Sequence, residues 1–286
     1  MTWQQWLTQA TARLRESLSP SAKHDAEILL AQVTGATRTR MLAFGETPLT
    51  DAQFAILETL LTRREQGEPV AYLIGECEFW SLRLHVSPDT LIPRPDTECL
   101  VQRALALLPP ARAEVLDLGT GSGAIALALA SERPAWRITG IDRSSGAVAL
   151  ARDNAARLEL TNVQFYESDW FKALRAQRYD LIVSNPPYIE TDDPHLTQGD
   201  VRFEPRNALV SGEDGLKDLA AICREAWPHL QPGGWLLLEH GWRQGPAVRA
   251  MLAEAGFSQT ATLRDYGDNE RVSQGQRCQR ESDFNK

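Results

Sequence analysis

Glu114-Val115-Leu116-Asp117-Leu118-Gly119-Thr120-Gly121-Ser122-Gly123 runs directly into Ala124-Ile125-Ala126-Leu127-Ala128-Leu129-Ala130. A short run of Val and Leu meets a glycine-rich turn, and the turn opens an Ala/Leu-rich helix. That is the pattern of the first βα unit of a nucleotide-binding α/β sheet. Glycine lets the backbone pass close to a ligand and turn sharply into the helix. A second strand, Trp136-Arg137-Ile138-Thr139-Gly140-Ile141, ends in Asp142. A carboxylate about 20 residues past the glycine turn suits a ribose diol.

The turn alone leaves two ligand classes open. Gly119-x-Gly121-x-x-Ala124 satisfies the dinucleotide fingerprint. The spacing Asp-x-Gly-x-Gly-x-Gly, with Asp117 on the strand end, is more typical of S-adenosylmethionine binding. That ligand carries a sulfonium cation and an amino group but no pyrophosphate. Carboxylates near the turn attract it and repel a pyrophosphate. Asp117 and Asp142 also suit helix caps, a common use of Asp, and both roles can hold at once.

Outward from this unit, strands are expected at 115–118, 137–141, 162–166, 179–184 and 234–239, with a final pair at 257–263 and 271–277. Helices fall between them. Such alternation implies a Rossmann-like, doubly wound, mainly parallel sheet. Ligands then sit at the carboxyl ends of the strands. Gly119–Gly123, Asp142, Asp169-Trp170 and Asn185 all occupy such ends.

Asn185-Pro186-Pro187-Tyr188 follows the strand Tyr179–Ser184. Two consecutive prolines fix φ and offer no N–H, so the strand stops there. The stiff turn presents the Asn185 amide, backbone carbonyls and the ring of Tyr188. An amide oxygen and a backbone carbonyl can accept both hydrogens of a planar –NH2, and an aromatic ring can cover its plane. Alone, these four residues read equally well as a surface turn. Paired with the glycine turn, they read as a device that holds an amino nitrogen while a group is transferred to it.

Residues 1–75 read as a small helical domain. Ser21 precedes a helix from Ala22 with Ile28, Leu29 and Val33 on its stripe. Thr50-Asp51-Ala52-Gln53 fits a capping box ahead of Phe54, Leu57 and Leu61. Residues 76–110 read as a hairpin through Ile92 and a connecting helix, and Pro93-Arg94-Pro95 as a stiff wall near the cofactor mouth. Residues 111–286 hold the sheet, and the polar tail after Cys278 is expected to fray. Net charge is −8, which is uninviting for a protein that tracks a phosphate backbone. Seven Lys/Arg stand against eight Asp/Glu before residue 76, so no basic arm precedes the sheet. Cys77, Cys99, Cys223 and Cys278 are scattered without a CxxC pair. They are expected as reduced thiols, with no metal site and a cytoplasmic location. No apolar run approaches a membrane span.

Glycine turn and Asn-Pro-Pro-Tyr together resemble the amino-group methyltransferases of the Rossmann-like class. The whole chain resembles the bacterial release factor glutamine methyltransferase family. The resemblance rests on Gly67-Glu68-Pro69-Val70-Ala71-Tyr72-Leu73-Ile74-Gly75, Glu78-Phe79-Trp80, Leu91–Glu98, Ser168-Asp169-Trp170, Phe203-Glu204-Pro205, Glu239-His240-Gly241 and Asp265-Tyr266-Gly267, besides the two turns. It implies a class I methyltransferase fold with a small N-terminal helical domain that helps grip the substrate. Gly119, Thr120, Gly121, Ser122, Gly123, Asp142, Trp170 and Asn185 would contact S-adenosylmethionine, which becomes S-adenosylhomocysteine. Asn185, Pro186, Pro187 and Tyr188 would clamp the substrate, with Asn185, Pro186 and Tyr188 in catalytic roles. The implied substrate is the glutamine of the Gly-Gly-Gln loop in class 1 peptide chain release factors, met by a monomer with no direct nucleic-acid or membrane contact. The competing reading is an adenine amino-group methyltransferase acting on DNA or RNA, which would use the same clamp on a flipped base.

Overall fold

Short helices build the first part of the chain. The computed structural model describes residues 1–174 and 177–278; the tail expected to fray lies outside them. It places α1 at Trp3–Glu16, α2 at Ala22–Thr34, α3 at Arg38–Ala43, α4 at Asp51–Glu65 and α5 at Val70–Ile74. Thr50 and Gln53 form the expected reciprocal cap of α4. Trp6, Leu14, Leu29, Leu30, Leu57 and Leu61 form the core of this unit.

The buried stripe of α2 is rotated from the expected one. Ala26, Leu29 and Leu30 are buried, while Ile28 and Val33 are half-buried. Asp25 faces inward with them. Arg64, 4 % exposed, donates from Nε to Asp25 Oδ2 at 2.8 Å and from Nη1 to Asp200 Oδ1 at 2.8 Å. Ser19 and Ser21 hydroxyls donate to the same Asp25 carboxylate. A charge taken out of water is tolerated only when paired and hydrogen-bonded in this way. Asp200 lies in Pro194–Phe203, which joins Met1–Glu76 in one compact unit.

Cys77–Asp193 and the described chain from Glu204 onward form the second unit. It opens with β1 (Glu76–Phe79) and β2 (Leu82–His85). Trp80 and Ser81 join them with φ of +53° and +59°, the sign pair of a tight two-residue hairpin turn. The strand pattern expected to continue to Ile92 stops at His85. Pro88 has no N–H for a ladder, and the Ser87 carbonyl accepts from Thr90 N in a turn instead.

The elements that follow are α6 (Glu98–Leu107), β3 (Glu114–Leu118), α7 (Ala124–Glu132), β4 (Arg137–Asp142), α8 (Ser145–Arg157), β5 (Val163–Glu167) and β6 (Tyr179–Ser184). Then come α9 (Lys217–Ala226), β7 (Leu230–Glu239), α10 (Gly245–Glu254), β8 (Ser258–Arg264) and β9 (Glu270–Gln276). The sheet order is β5-β4-β3-β6-β7-β9-β8. β5 through β7 are parallel, and β9 runs antiparallel to both β7 and β8. Strand residues alternate between two apolar cores. Val115, Leu181, Val183 and Leu237 pack with α6, α7 and α8. Leu116, Leu118, Ile182, Leu236 and Leu238 pack with α9 and α10. The sheet is therefore doubly wound, as expected.

The winding of the sheet reverses between β3 and β6, which themselves run parallel. From β3 the chain winds outward through β4 and β5, then returns to pair β6 on the other side of β3. Such a switch point leaves a crevice at the carboxyl edge, where ligands bind in open α/β sheets. Register makes the edge specific. Leu118 pairs with Ile141 and with Ser184, and Ser184 pairs with Leu238. The next residue on each strand therefore falls in one row: Asp142, Gly119, Asn185, Glu239.

Candidate active site

The glycine turn takes its shape from backbone freedom. Gly119, Gly121 and Gly123 have φ of +70°, +56° and +87°, a region that side-chain-bearing residues rarely adopt. Asp142 holds the turn from the neighbouring strand. Its Oδ2 accepts from Gly121 N at 3.0 Å, and its Oδ1 accepts from Ser144 N at 2.9 Å, ahead of α8. A carboxylate has about four lone-pair sites, so each oxygen retains capacity for a hydroxyl donor.

Asp117 lies beneath the turn, fully buried. Thr120 Oγ1 donates to its Oδ2 at 2.6 Å, while Oδ1 has no partner. Burial pushes its carboxyl up to about 7, against the opposing Thr120 bond. An acid beneath the turn favours a cation above it when ionised.

Trp170 closes the side of the turn. Its backbone is left-handed, φ +48°, an uncommon state for a large residue that marks a functional constraint. Ser168 fixes it by donating to Trp170 O at 2.6 Å and accepting from Ala173 N at 3.1 Å. The indole lies against Gly119, and a Cβ there would meet Trp170 at 3.5 Å.

A cleft of about 950 Å³, its open mouth included, lies over the two turns. Gly119, Thr120, Gly121, Ser122, Asp142, Trp170, Asn185 and Pro187 all contribute. Pro93 and Arg94 form part of its wall, as their rigidity suggested. Glu204 holds that wall: its carboxylate accepts from Ile92 N at 3.1 Å and pairs with Arg94. Gly123 does not line the cleft but precedes α7. Pro186 and Tyr188 also stand outside the lining.

The Asn-Pro-Pro-Tyr turn is braced from several sides. Ser184 Oγ donates to Leu118 O at 2.7 Å, joining the two strand ends. Asn185 Nδ2 donates to Thr97 Oγ1 at 3.3 Å. Tyr188 N donates to Leu209 O at 3.2 Å, and Tyr188 O accepts from Gln244 Nε2 at 3.0 Å. Gly215 packs so closely on the Tyr188 carbonyl that a Cβ would overlap it. The phenol packs against the α9/α10 core, and its hydroxyl donates to Glu239 Oε1 at 3.3 Å. Burial, then the Glu239 charge, raises its pKa well above the ordinary phenol range, so it stays protonated.

Glu239 and Thr97 carried no assigned role in the sequence reading. The available signal was an acid ending an apolar strand, Trp235-Leu236-Leu237-Leu238-Glu239, the same signal that marked Asp142. Among the described residues no His/Cys/Asp/Glu group is arranged to hold a metal, and no helix is long and apolar enough to cross a membrane.

Comparison with known proteins agrees with this geometry. The methyltransferase domain family matches residues 111–278, and the PrmC N-terminal domain family matches residues 5–75. Among solved structures, a methyltransferase from Pyrococcus furiosus aligns with a TM-score of 0.54 at 17 % identity, covering 77 % of this chain and 99 % of that one. The catalytic domain of human Mettl16 aligns at 0.56 with 14 % identity, over 81 % and 83 %. The fold is that of a class I methyltransferase, and the chain is an S-adenosylmethionine-dependent methyltransferase. The release factor glutamine methyltransferase of Salmonella typhimurium is 60 % identical over 96 % of this chain and 99 % of its own length. Those of Escherichia coli and Pseudomonas aeruginosa are 58 % and 54 % identical, over 96 % and 90 % of this chain and 99 % and 94 % of their own. The chain belongs to the release factor glutamine methyltransferase family.

Proposed function

We propose that this protein transfers a methyl group to the side-chain amide nitrogen of the glutamine in the Gly-Gly-Gln motif of class 1 peptide chain release factors, acting as a cytoplasmic monomer. The observation that carries the reading is the row at the sheet edge, which sets the cofactor turn and the amide clamp side by side on β3 and β6. Family membership over nearly the whole chain narrows the substrate.

The residues present fit S-adenosylmethionine. The glycine turn leaves backbone exposed to the cleft, Asp142 keeps lone pairs for a ribose diol, and the acids suit a cation. When bound, the cofactor supplies an electrophilic methyl group on a sulfonium sulfur. Gly119, Thr120, Gly121, Ser122, Asp142, Trp170 and Asn185 are the residues that would hold it, with Gly123 shaping the turn from outside the cleft.

The protein's task is orientation, because displacement at carbon requires in-line attack. Asn185 Oδ1 and a proline carbonyl accept the two amide hydrogens of the substrate. They fix the nitrogen and stabilise the positive charge that grows on it. The face of Tyr188 covers the amide plane and adds a cation–π contribution. No strong base is needed, since an N-protonated amide is very acidic and water takes its proton.

Incubation with methyl-labelled cofactor and a panel of release factors, bulk DNA and bulk RNA tests the assignment. Label is expected on release factor. Label on nucleic acid alone would reverse it.

A further inference from the structure

We infer that Trp242 and Tyr266 form a surface that seats the polypeptide flanking the substrate glutamine, so that the sheet edge grips release factor beside the clamp as well as the amide within it. The inference rests on the function proposed above and adds to it where the rest of the substrate lies.

Asp265-Tyr266-Gly267 has no part in the cofactor cleft or the amide clamp. Register nevertheless carries the edge row to it. Glu239 pairs with Val272 on β9, and Val272 pairs with Leu263 on β8. The β8–β9 turn therefore stands at the same edge as Asn185, three strands along. Neighbouring strands lie about 4.8 Å apart, so the span from Asn185 is about 15 Å. Four or five extended residues of a bound chain cover that distance.

Both turns that carry the rings are fixed, and fixed to the clamp. Trp242 lies in the turn Gly241–Gln244, where Gly241 N donates to Gln244 Oε1 at 2.8 Å and Gln244 N donates to Gly241 O at 2.8 Å. Gln244 Nε2 donates to Tyr188 O at 3.0 Å, which joins this turn to the clamp itself. Asp265 shapes the other turn from inside, its Oδ1 accepting from Gly267 N at 2.9 Å and Asn269 N at 3.0 Å. Arg271 then ties the two together. It donates from Nε to Asp265 Oδ2 at 3.0 Å and from Nη1 to His240 O at 3.4 Å.

This scaffold holds two large rings out in water. Among the described residues of this unit, the exposed large apolar side chains are Tyr266 at 75 %, Trp242 at 55 % and Tyr166 at 47 %. Apolar residues scattered singly over a surface need no explanation. Here two of the three stand on turns bonded to one another and to Tyr188. Arg243 stacks on the Trp242 ring at 4.2 Å, and the Tyr266 hydroxyl donates to Gln102 Oε1 at 3.4 Å. Neither contact buries its ring. Rigid aromatic side chains lose little entropy on binding, and with Arg they dominate the energetic centres of protein interfaces. Continuity with the clamp makes the occupant the chain that delivers the glutamine.

The test is binding of intact, unmethylated release factor to the full-length protein loaded with S-adenosylhomocysteine, measured by calorimetry. Steady-state kinetics, cofactor affinity and the thermal midpoint are recorded for each variant. Tyr266→Ala is expected to weaken binding about tenfold, the loss typical of a ring at an interface centre. KM should rise in step while kcat stays within about twofold, because the ring holds ground state and transition state alike. Cofactor affinity and thermal midpoint should match wild type. Tyr266→Phe keeps most of the affinity, since it retains the ring. Trp242→Ala loses affinity by a similar factor, and it decides by the same readings if Tyr266→Ala fails to fold. Tyr166→Ala, an exposed ring on β5 beyond Asp142, should change nothing. Wild-type affinity and KM in Tyr266→Ala overturn the inference, as does an equal loss in Tyr166→Ala. Sedimentation that shows a wild-type dimer split by Tyr266→Ala assigns the ring to a second copy and overturns it too. No transfer to release factor by wild type defeats the proposed function, whereas transfer by wild type with unchanged KM in Tyr266→Ala defeats this inference alone.

Discussion

The two turns at the switch point sit on adjacent strands and are built from opposite materials. The glycine turn after β3 consists of residues with left-handed backbone freedom and is shaped by what holds it. The Asn-Pro-Pro-Tyr turn after β6 is stiff by covalent structure and presents acceptors and a ring. Yet each is pinned by an acid ending the next strand outward: Asp142 on β4 for the first, Glu239 on β7 for the second. The acids differ in exposure. Asp142 is half-buried at the cleft and has lone pairs to offer a ligand, whereas Glu239 is sealed off. One acid can bind and brace together; the other can only brace.

The sharpest way to separate the turns is Asn185→Ala. Turnover should fall about 10²-fold or more, as it does when a transition-state hydrogen-bonding group is lost. Cofactor affinity by calorimetry should change far less, because the glycine turn and Asp142 are untouched.

Asp117 gives the next largest effect, in stability and not in rate. Its folded pKa, near 7, lies above the ordinary carboxyl range because of burial. Its stabilising contribution is therefore full at low pH and is lost as pH rises to 7. Asp117→Asn has no such titration. The unfolding free energy of Asp117→Asn relative to wild type should grow by about 2 kcal/mol between pH 5.5 and pH 8. Denaturant unfolding at the two pH values measures it.

Asp142→Ala tests the cofactor side. Two charge-assisted bonds to a ribose, each worth about 1.5–3 kcal/mol, would be lost. S-adenosylmethionine binding should weaken at least about tenfold. Unchanged affinity would reduce Asp142 to a brace like Glu239 and erase the difference between the two acids. Tyr188→Phe is the mildest probe. It keeps the ring and removes only the bond to Glu239, so kcat should fall about threefold, the effect of one modest hydrogen bond.

Much of this was legible in the residues. The β3 run, the glycines and Asp142 have local causes: strand composition, positive φ and an acid at a fixed distance. The two prolines of Asn185-Pro186-Pro187-Tyr188 marked the end of β6 at Ser184 for the same reason. What escaped depends on pairings remote in sequence. Arg64 and Asp200 are 136 residues apart, and nothing around Pro194–Phe203 indicates that it packs with the N-terminal helices. A protein lacking residues 1–75 would leave Asp200 without its Arg64 partner. Thr97 looked like part of a connector, because its role exists only where β6 brings Asn185 to it across 88 residues. The hairpin was overextended past His85 because alternation alone does not register what Pro88 does to a ladder.

The most direct measurement is to map the modified residue. Intact release factor is incubated with S-adenosylmethionine and the wild-type protein, then digested and sequenced by tandem mass spectrometry. A clamp built for a planar side-chain amide predicts one added methyl, on the glutamine of Gly-Gly-Gln, and about a hundredth as much or less when Asn185→Ala replaces wild type over the same interval. A methyl group on any other residue, or undiminished methylation by Asn185→Ala, would contradict it.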